Sequence, residues 1–202
     1  QYIIAKECKG ECFLVVYADD FIAGFQYPWE AERFYEQLRS RMAKFGLELE
    51  ENKSRIVESG RYLASLKAKR GESTRLGTFD FLGFTFYCGR TTKGNPWIMP
   101  KTSSKKFRQK VKEIKIWLYN NKEQKLGKLM YMLNVKLVGH YRYYGISFNS
   151  RMISNYKQQV RELLYKVLNR RSEKKSYTRE GFIEMMKYYK LVNPKIYYSL
   201  FC

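Results

Sequence analysis

Two short apolar runs joined by a pair of aspartates constrain the fold of this chain more than any other stretch. Cys12–Val16 and Phe21–Phe25 are rich in β-branched and aromatic residues, and Tyr17–Asp20 (YADD) lies between them. Such runs, separated by a short polar step, predict a β-hairpin. Because aspartate is a common turn residue, Asp19 and Asp20 alone indicate only a turn. Any functional interpretation depends on the rest of the chain.

A helix and two more strands are predicted after this hairpin. Pro28 followed by acidic residues is typical of a helix start, and Gly46 is placed to end the helix. Its apolar face recurs at helical spacing: Ala31, Phe34, Leu38, Met42 and Phe45. Leu47–Glu50 and Ser54–Val57 alternate between apolar and polar residues, which predicts strands, and Lys53 lies at the turn between them.

A second hairpin is predicted over Phe79–Phe86, where the aromatic faces change sides near Gly83. Glycine inside a strand pattern marks a bulge or a close approach of backbone. After it, helical periodicity begins at Pro100, and the first long helix carries the apolar stripe Phe107, Val111, Ile114 and Leu118.

Two further long helices complete the predicted architecture. One covers about Lys125–Tyr144 with the stripe Leu129, Leu133, Leu137 and Tyr141, and the next follows the capping residue Asn149 with the stripe Ile153, Tyr156, Val160, Leu163 and Val167. A short helix is predicted over Phe182–Tyr189. The sequence therefore predicts an α+β fold, with antiparallel hairpins plus a helix over residues 1–90 and an all-α region over residues 91–202.

The net charge of +20 is distributed unevenly. Residues 1–60 hold 8 basic and 11 acidic side chains, whereas residues 61–202 hold 31 basic and 8 acidic ones. So large an excess favours a polyanionic partner, usually nucleic acid. No membrane partner is predicted, since no apolar run approaches the roughly 20 residues of a spanning helix. The chain opens without a signal segment, and the lack of an initiator Met suggests part of a longer protein.

A basic row is predicted opposite the apolar stripe of the first long helix: Lys101, Lys105, Arg108, Lys112 and Lys115. A solvated helix face normally mixes charges of both signs, and a row of one sign destabilises an isolated helix. A surface that follows RNA phosphates is therefore favoured. Other basic residues lie mostly off the apolar stripe of the third long helix: Arg151, Arg161, Arg170 and Arg171.

Aromatic and hydrogen-bonding residues are dense in Gly139–Gly145, at the end of the second long helix. His140, Tyr141 and Arg142 suit stacking on an RNA strand and hydrogen bonding to it. Half of these rings could equally belong to the core, with His140 a core histidine. Both interpretations stay open at this point.

The four cysteines are too scattered for a disulfide framework: Cys8, Cys12, Cys88 and Cys202. His140 is the only histidine, so reduced thiols are favoured over a zinc site. An intracellular location follows from this interpretation.

Taken together, these residues resemble the C-terminal part of a group II intron reverse transcriptase, also called a maturase. Tyr17–Asp20 resembles that family's polymerase active-site motif, Gly46–Arg55 its next palm motif, and Phe81–Phe84 its primer-grip turn. The downstream segments resemble the family's thumb, or maturase, helices: Leu133-Asn134, Gly139–Tyr141, Tyr143–Gly145, Asn149-Ser150 and Leu168–Ser172. The likeness covers about residues 12–200.

The resemblance implies an RNA-directed DNA polymerase, with the C-terminal part of a palm over residues 1–90 and a helical thumb over residues 91–202. It implies two-metal nucleotidyl transfer, in which Asp19 and Asp20 are catalytic ligands of two Mg²⁺ ions. The implied partners are intron RNA, whose splicing the protein would assist, together with an RNA template, a DNA primer and dNTP.

The resemblance also assigns roles around the aspartates. Tyr17 and Ala18 would line the floor where nucleotide and primer end meet. Lys53 would lie near the incoming triphosphate. Leu82 and Gly83 would place the primer backbone against the palm.

The chain differs from the family in its set of carboxylates. The family supplies a further palm Asp from an upstream strand, whereas this chain contains only Asp19, Asp20 and Asp80. Asp80 adjoins the primer-grip turn and is expected to be structural. One or both Mg²⁺ ions would therefore need a carboxylate from an upstream portion of the same protein, which would also hold the fingers, or from a separate chain.

Two other functions stay open. One is an RNA-binding maturase or splicing factor without polymerase activity, and the other is a domesticated reverse transcriptase linked to CRISPR or defence. The expected location is cytoplasmic, near the bacterial nucleoid, or organellar.

Overall fold

The computed structural model describes residues 7–50, 54–60, 63–74, 76–170 and 177–200. The strands that lie within these ranges are β1 (Cys12–Tyr17), β2 (Asp20–Phe25), β3 (Phe79–Phe81), β4 (Phe84–Arg90) and β5 (Pro96–Thr102). The helices are α1 (Pro28–Lys44), α2 (Leu63–Lys69), α3 (Ser104–Asn120), α4 (Leu126–Tyr144), α5 (Ser150–Leu168) and α6 (Arg179–Tyr188). β1 and β2 form one antiparallel sheet, and β3, β4 and β5 form a second in that order. The predicted α+β class is confirmed.

The chain divides into two compact units. The first unit comprises Gln1–Phe81 and Tyr87–Ile98, and the second unit comprises Leu82–Phe86 and Met99–Cys202. In the part of the chain that the structure describes, every buried hydrophobic side chain belongs to the second unit. The hydrophobic core is therefore mainly helical.

The first unit is built on the predicted hairpin. β1 and β2 pair along their whole length, Tyr17 lies opposite Asp20, and a two-residue loop makes the turn. α1 packs on this hairpin through Phe34, whose ring centroid lies 5.2 Å from that of Phe25. The buried carboxylate of Glu30 accepts hydrogen bonds from two backbone N–H groups of the segment before β1, at 2.6 and 3.2 Å. α1 thus fixes both the hairpin and the chain that enters it.

The segment after α1 differs from the sequence prediction. Gly46, with φ 68°, ends the helix as predicted. The strands predicted over Leu47–Glu50 and Ser54–Val57 do not form. The Ser54 N–H donates to Glu50 O at 2.9 Å, which is a turn-type hydrogen bond and not part of a ladder. Alternation alone misleads here, because a strand needs a partner and no described residue pairs with these.

β5 is a strand that the sequence does not predict. Helix is predicted from Pro100 onward, but Pro96–Thr102 forms the edge strand of its sheet, and α3 begins only after it. Edge strands tolerate proline because one side of the strand needs no hydrogen-bond donor. Ser103 then caps α3, its Oγ accepting from the Lys106 N–H at 3.3 Å. Lys101 therefore lies on a strand and not on the helix with the rest of the basic row.

The second unit packs its helices through the predicted apolar stripes. Stripe residues of α3, α4 and α5 are fully buried: Leu118, Leu129, Leu133, Leu137, Val160 and Val167. On α5, Leu164 is fully buried while the predicted Leu163 is half-buried. Among the described helices, none is both long enough and apolar enough to cross a membrane.

Asn149 joins three elements inside the second unit, and its side chain is fully buried. Oδ1 accepts from the Thr102 N–H, and Nδ2 donates to Thr102 Oγ1 and to Tyr144 O, each at 2.8 Å. Asn149 is the N-cap residue of α5, as predicted, but its side chain makes no capping hydrogen bond because these three bonds occupy the amide. The end of β5 is thereby fixed to the last residue of α4 and the start of α5.

Candidate active site and nucleic-acid interface

The tip of the first hairpin presents Asp19 and Asp20 to solvent. Both residues are exposed, and neither carboxylate has a hydrogen-bond or ion-pair partner among the described residues. Ala18 has φ 51°, a left-handed conformation that suits the tight turn of a two-residue hairpin but strains a residue with a Cβ. Such strain is common at functional turns. The side chain of Tyr17, at the end of β1, is 63% exposed.

Two adjacent carboxylates supply the hard oxygen ligands that Mg²⁺ prefers. Within the described ranges, no group of three or more His, Cys, Asp or Glu side chains is placed to hold a metal ion. The aspartate pair therefore fits part of a magnesium site. Substrate phosphates, water or another carboxylate would supply the other ligands.

The turn between β3 and β4 is fixed by its surroundings in the second unit. Leu82 and Gly83 both have left-handed backbones, with φ 49° and 78°. The Ser103 N–H donates to Gly83 O at 2.9 Å, and the Tyr143 hydroxyl donates to Leu82 O at 3.0 Å. A Cβ on Gly83 would lie 3.2 Å from the hydroxyl of Tyr144, so glycine suits this close approach. The predicted primer-grip turn is thus held by hydrogen bonds to both of its carbonyl groups.

Tyr143 braces this turn and is absent from the predicted site residues. Its ring stacks on Phe84, with centroids 6.0 Å apart and planes 12° from parallel. The hydrogen bond to Leu82 joins residues 61 positions apart, so no local pattern indicates it. The available signal is the dense aromatic run at the end of α4, which favours RNA contact or core packing and indicates no brace.

α3 presents an exposed basic face made of four residues of the predicted row: Lys105, Arg108, Lys112 and Lys115. None of the four has an acidic partner in the described part of the chain. The only acid on α3, Glu113, accepts from Lys110 at 2.8 Å, and this hydrogen bond lowers the pKa of Glu113. The row therefore keeps its positive charge free for an anionic partner.

His140 and Tyr141 are buried in the helical core, which contradicts their predicted contact with RNA. His140 is 9% exposed, and its ring stacks on Tyr156 with centroids 3.7 Å apart. Burial, and to a lesser extent the charge of Lys110, lowers the pKa of His140 to about 4. Burial likewise raises the pKa of the Tyr141 phenol, whose hydroxyl has no partner among the described residues. The core interpretation of both rings is correct.

Two family models match the chain on either side of β5. One describes reverse transcriptases (RNA-dependent DNA polymerases) and matches residues 2–86, and the other describes the maturase-specific domain of group II introns and matches residues 104–189. The chain belongs to the group II intron reverse transcriptase/maturase family. The first match contains both hairpin turns, and the second contains α3 to α6. Searches of curated proteins and of solved structures gave no match.

Other predicted RNA contacts lie on the surface of the helical unit. Arg142, Arg151 and Arg170 are exposed, and Arg161 is half-buried. The Arg170 guanidinium donates to the Tyr119 hydroxyl at 2.5 Å and lies 5.7 Å from the centroid of that ring. Arg170 therefore also braces the end of α3. The predictions for Lys53 and Arg171 stay predictions, because both lie outside the described residues.

Proposed function

We propose that this family member is an RNA-directed DNA polymerase whose chemistry takes place at Asp19 and Asp20. The observation that carries the proposal is the hairpin tip, where two adjacent exposed carboxylates lie inside the segment that matches reverse transcriptases. Turn aspartates commonly hydrogen-bond to nearby backbone, and neither of these does so among the described residues. A binding function accounts for unpartnered carboxylates better than a purely structural turn does.

Asp19 and Asp20 would hold Mg²⁺ together with a carboxylate from outside this chain. The chemistry that bound Mg²⁺ supplies is charge neutralisation at the attacking and leaving oxygens of nucleotidyl transfer. The chain itself contributes the placement of its two carboxylates. The pairing of Tyr17 with Asp20 and the restricted backbone of Ala18 hold the tip in one turn conformation.

The neighbouring positions have proposed roles in substrate placement. Tyr17 and Ala18 would form the floor beneath the nucleotide and the primer end, and Lys53 would neutralise charge on the triphosphate. Leu82 and Gly83 would position the primer backbone. The hydrogen-bonded carbonyl groups of this turn support that role, because a braced turn offers a fixed surface.

The helical unit is proposed to bind the RNA template and intron RNA, and to assist splicing. Its basic row would follow the phosphate backbone, with Arg142, Arg151 and Arg161 adding positive charge. DNA primer and dNTP would be the other substrates, and the cytoplasm or an organelle the location.

The test is magnesium-dependent extension of a DNA primer on an RNA template by the full-length gene product. Asp19→Asn and Asp19→Ala should each lower extension by roughly 100-fold or more, because a metal ligand is lost. Asp80→Asn is the matched control, since Asp80 lies on β3 and has no proposed contact with the reaction. Unchanged extension by both Asp19 variants would refute the proposal. Splicing assistance by a protein that never extends primers would instead support the maturase-only function.

A further inference from the structure

A groove of about 760 Å³ runs along one face of α4 and is closed on its other side by the chain that follows α6. The α4 side is a single helical stripe of Tyr131, Val135, Val138 and Arg142, and the opposite wall includes Lys190 and Val192. This face differs from the core face of α4. The whole groove lies within the second unit.

The far wall of the groove is fixed in place by side chains. Asn134 Nδ2 donates to Lys190 O at 3.0 Å, and Asn134 Oδ1 accepts from the Val192 N–H at 2.9 Å. Lys157 Nζ donates to Asn193 Oδ1 at 2.5 Å. The groove is therefore preformed, as ligand sites usually are.

The side chains that form the floor of the groove are exposed to solvent although they lie in the middle of a helix. Tyr131 and Val135 are 72% and 55% exposed, although Leu133 between them is fully buried. A Cβ on Gly139 would meet no heavy atom within 4 Å, so packing inside this unit does not require glycine there. Glycine is, after proline, the least favourable residue in a helix interior. The absence of a side chain at Gly139 instead leaves space in the groove for a ligand.

The chemistry of the lining favours unpaired nucleotides. Arg142 and Lys190 are exposed on opposite walls, and no acidic residue of the described chain lines the groove. Tyr131 and the apolar floor offer a surface on which bases can stack, and every base has such a face. In a duplex those faces are hidden, so a double helix could use only the two cations.

We propose that this groove binds a short single-stranded segment of RNA. Bases lie against Tyr131 and over Gly139, and phosphates lie near Arg142 and Lys190. The proposal rests on the proposed RNA binding by the helical unit and specifies single-stranded RNA as the ligand at this face. The basic row on α3 is a separate surface that follows phosphates without using base faces.

The experiment compares two fluorescent probes by anisotropy, an unstructured single-stranded RNA and an RNA duplex of equal charge, using the full chain. Tyr131→Ala should weaken single-strand binding by about 5- to 150-fold, as expected for the loss of one stacked base, and should barely change duplex binding. Tyr188→Ala is the matched control, because Tyr188 is 91% exposed and lies outside the groove. It should bind both probes like the parent.

Gly139→Leu tests the groove without removing any contact. Because no described atom lies where a Cβ would go, the variant should melt at or above the temperature of the parent while losing single-strand affinity. A variant of normal thermal stability and normal single-strand affinity would overturn the proposal. So would groove variants that leave RNA binding intact but change the oligomeric size of the protein, because the occupant would then be protein. A parent chain that binds neither RNA would defeat the proposed function itself.

Discussion

The buried amide of Asn149 allows a sharp test of how the second unit is held together. Asn149→Ala removes three hydrogen bonds of 2.8 Å and leaves the N–H and the hydroxyl of Thr102 without these partners, whereas Tyr144 O keeps its hydrogen bond from the Ile146 N–H at 2.9 Å. Thr102 is 1% exposed, so water cannot readily replace the lost bonds. The variant therefore creates unsatisfied polar groups inside the fold.

The expected loss of stability follows from these two groups of Thr102. Each buried group that loses its partner costs about 1–3 kcal/mol, so the pair predicts a loss of about 2–6 kcal/mol. The cavity left by the side chain adds to this loss. A domain has only about 5–15 kcal/mol of stability in total, so Asn149→Ala should be marginally folded.

Urea unfolding followed by far-ultraviolet circular dichroism measures this loss, because α3 to α6 hold most of the helix. With an m-value of about 2 kcal/mol/M, the midpoint should fall by about 1–3 M. Asn155→Ala, at an exposed position of α5, is the matched control and should change stability by less than about 0.5 kcal/mol. A change as small for Asn149→Ala would refute the inference that these bonds stabilise the unit.

Three further predictions address the core and the basic surface. His140→Phe should remove a pH dependence of stability. The pKa of His140 is about 4 in the folded protein and about 6.5 in the unfolded chain. The stability that neutral His140 contributes is therefore fully present above about pH 6.5 and is lost as the pH falls toward about 4. That loss is roughly 3 kcal/mol, and urea unfolding of the parent and of His140→Phe between about pH 4 and about pH 6.5 measures it. A difference in unfolding free energy between the two proteins that stays constant with pH would contradict the prediction. Tyr141→Phe should raise the free energy of unfolding by about 1 kcal/mol, because its buried hydroxyl lacks a partner; a lower stability in thermal unfolding would show that the hydroxyl is bonded. Replacing Lys105, Arg108 and Lys112 by Gln should lower the salt dependence of RNA affinity by about one unit of slope per lost phosphate contact, and equal slopes would return the row to an ordinary solvated face.

Elements with strong local periodicity could be predicted from the sequence. The first hairpin, α1 and the three long helices follow from runs and stripes, and Gly46 marks the end of α1 as predicted. The stripe that includes Leu133 and Leu137 also contains Tyr141, so the signal for its burial is present in the same pattern that suggests RNA contact.

What could not be predicted depends on partners far away in the chain. The alternating segment Leu47–Glu50 has no partner strand among the residues that the structure describes. By contrast, β5 forms despite two prolines because it lies at a sheet edge. The brace from Tyr143 to Leu82 and the bonds between Asn149 and Thr102 join residues 61 and 47 positions apart. Single-sequence patterns carry no information about such contacts. At the candidate site, the YADD tip could be located from the sequence, but its supports could not.

The confinement of the core to the second unit implies that backbone amides exchange with solvent at very different rates along this chain. Amides of α4 and α5 are protected by packed leucines and should exchange only when the whole unit opens. A two-stranded hairpin is marginally stable by itself, and the outer face of β1 leaves Phe13 and Val15 58% and 48% exposed. The hairpin, on which α1 packs through Phe34, should therefore still open locally more often than α4 and α5, and any surface that covers Phe13 and Val15 would slow its exchange. The time that the two aspartates spend in one arrangement thus depends on what packs on β1, the strand that precedes them.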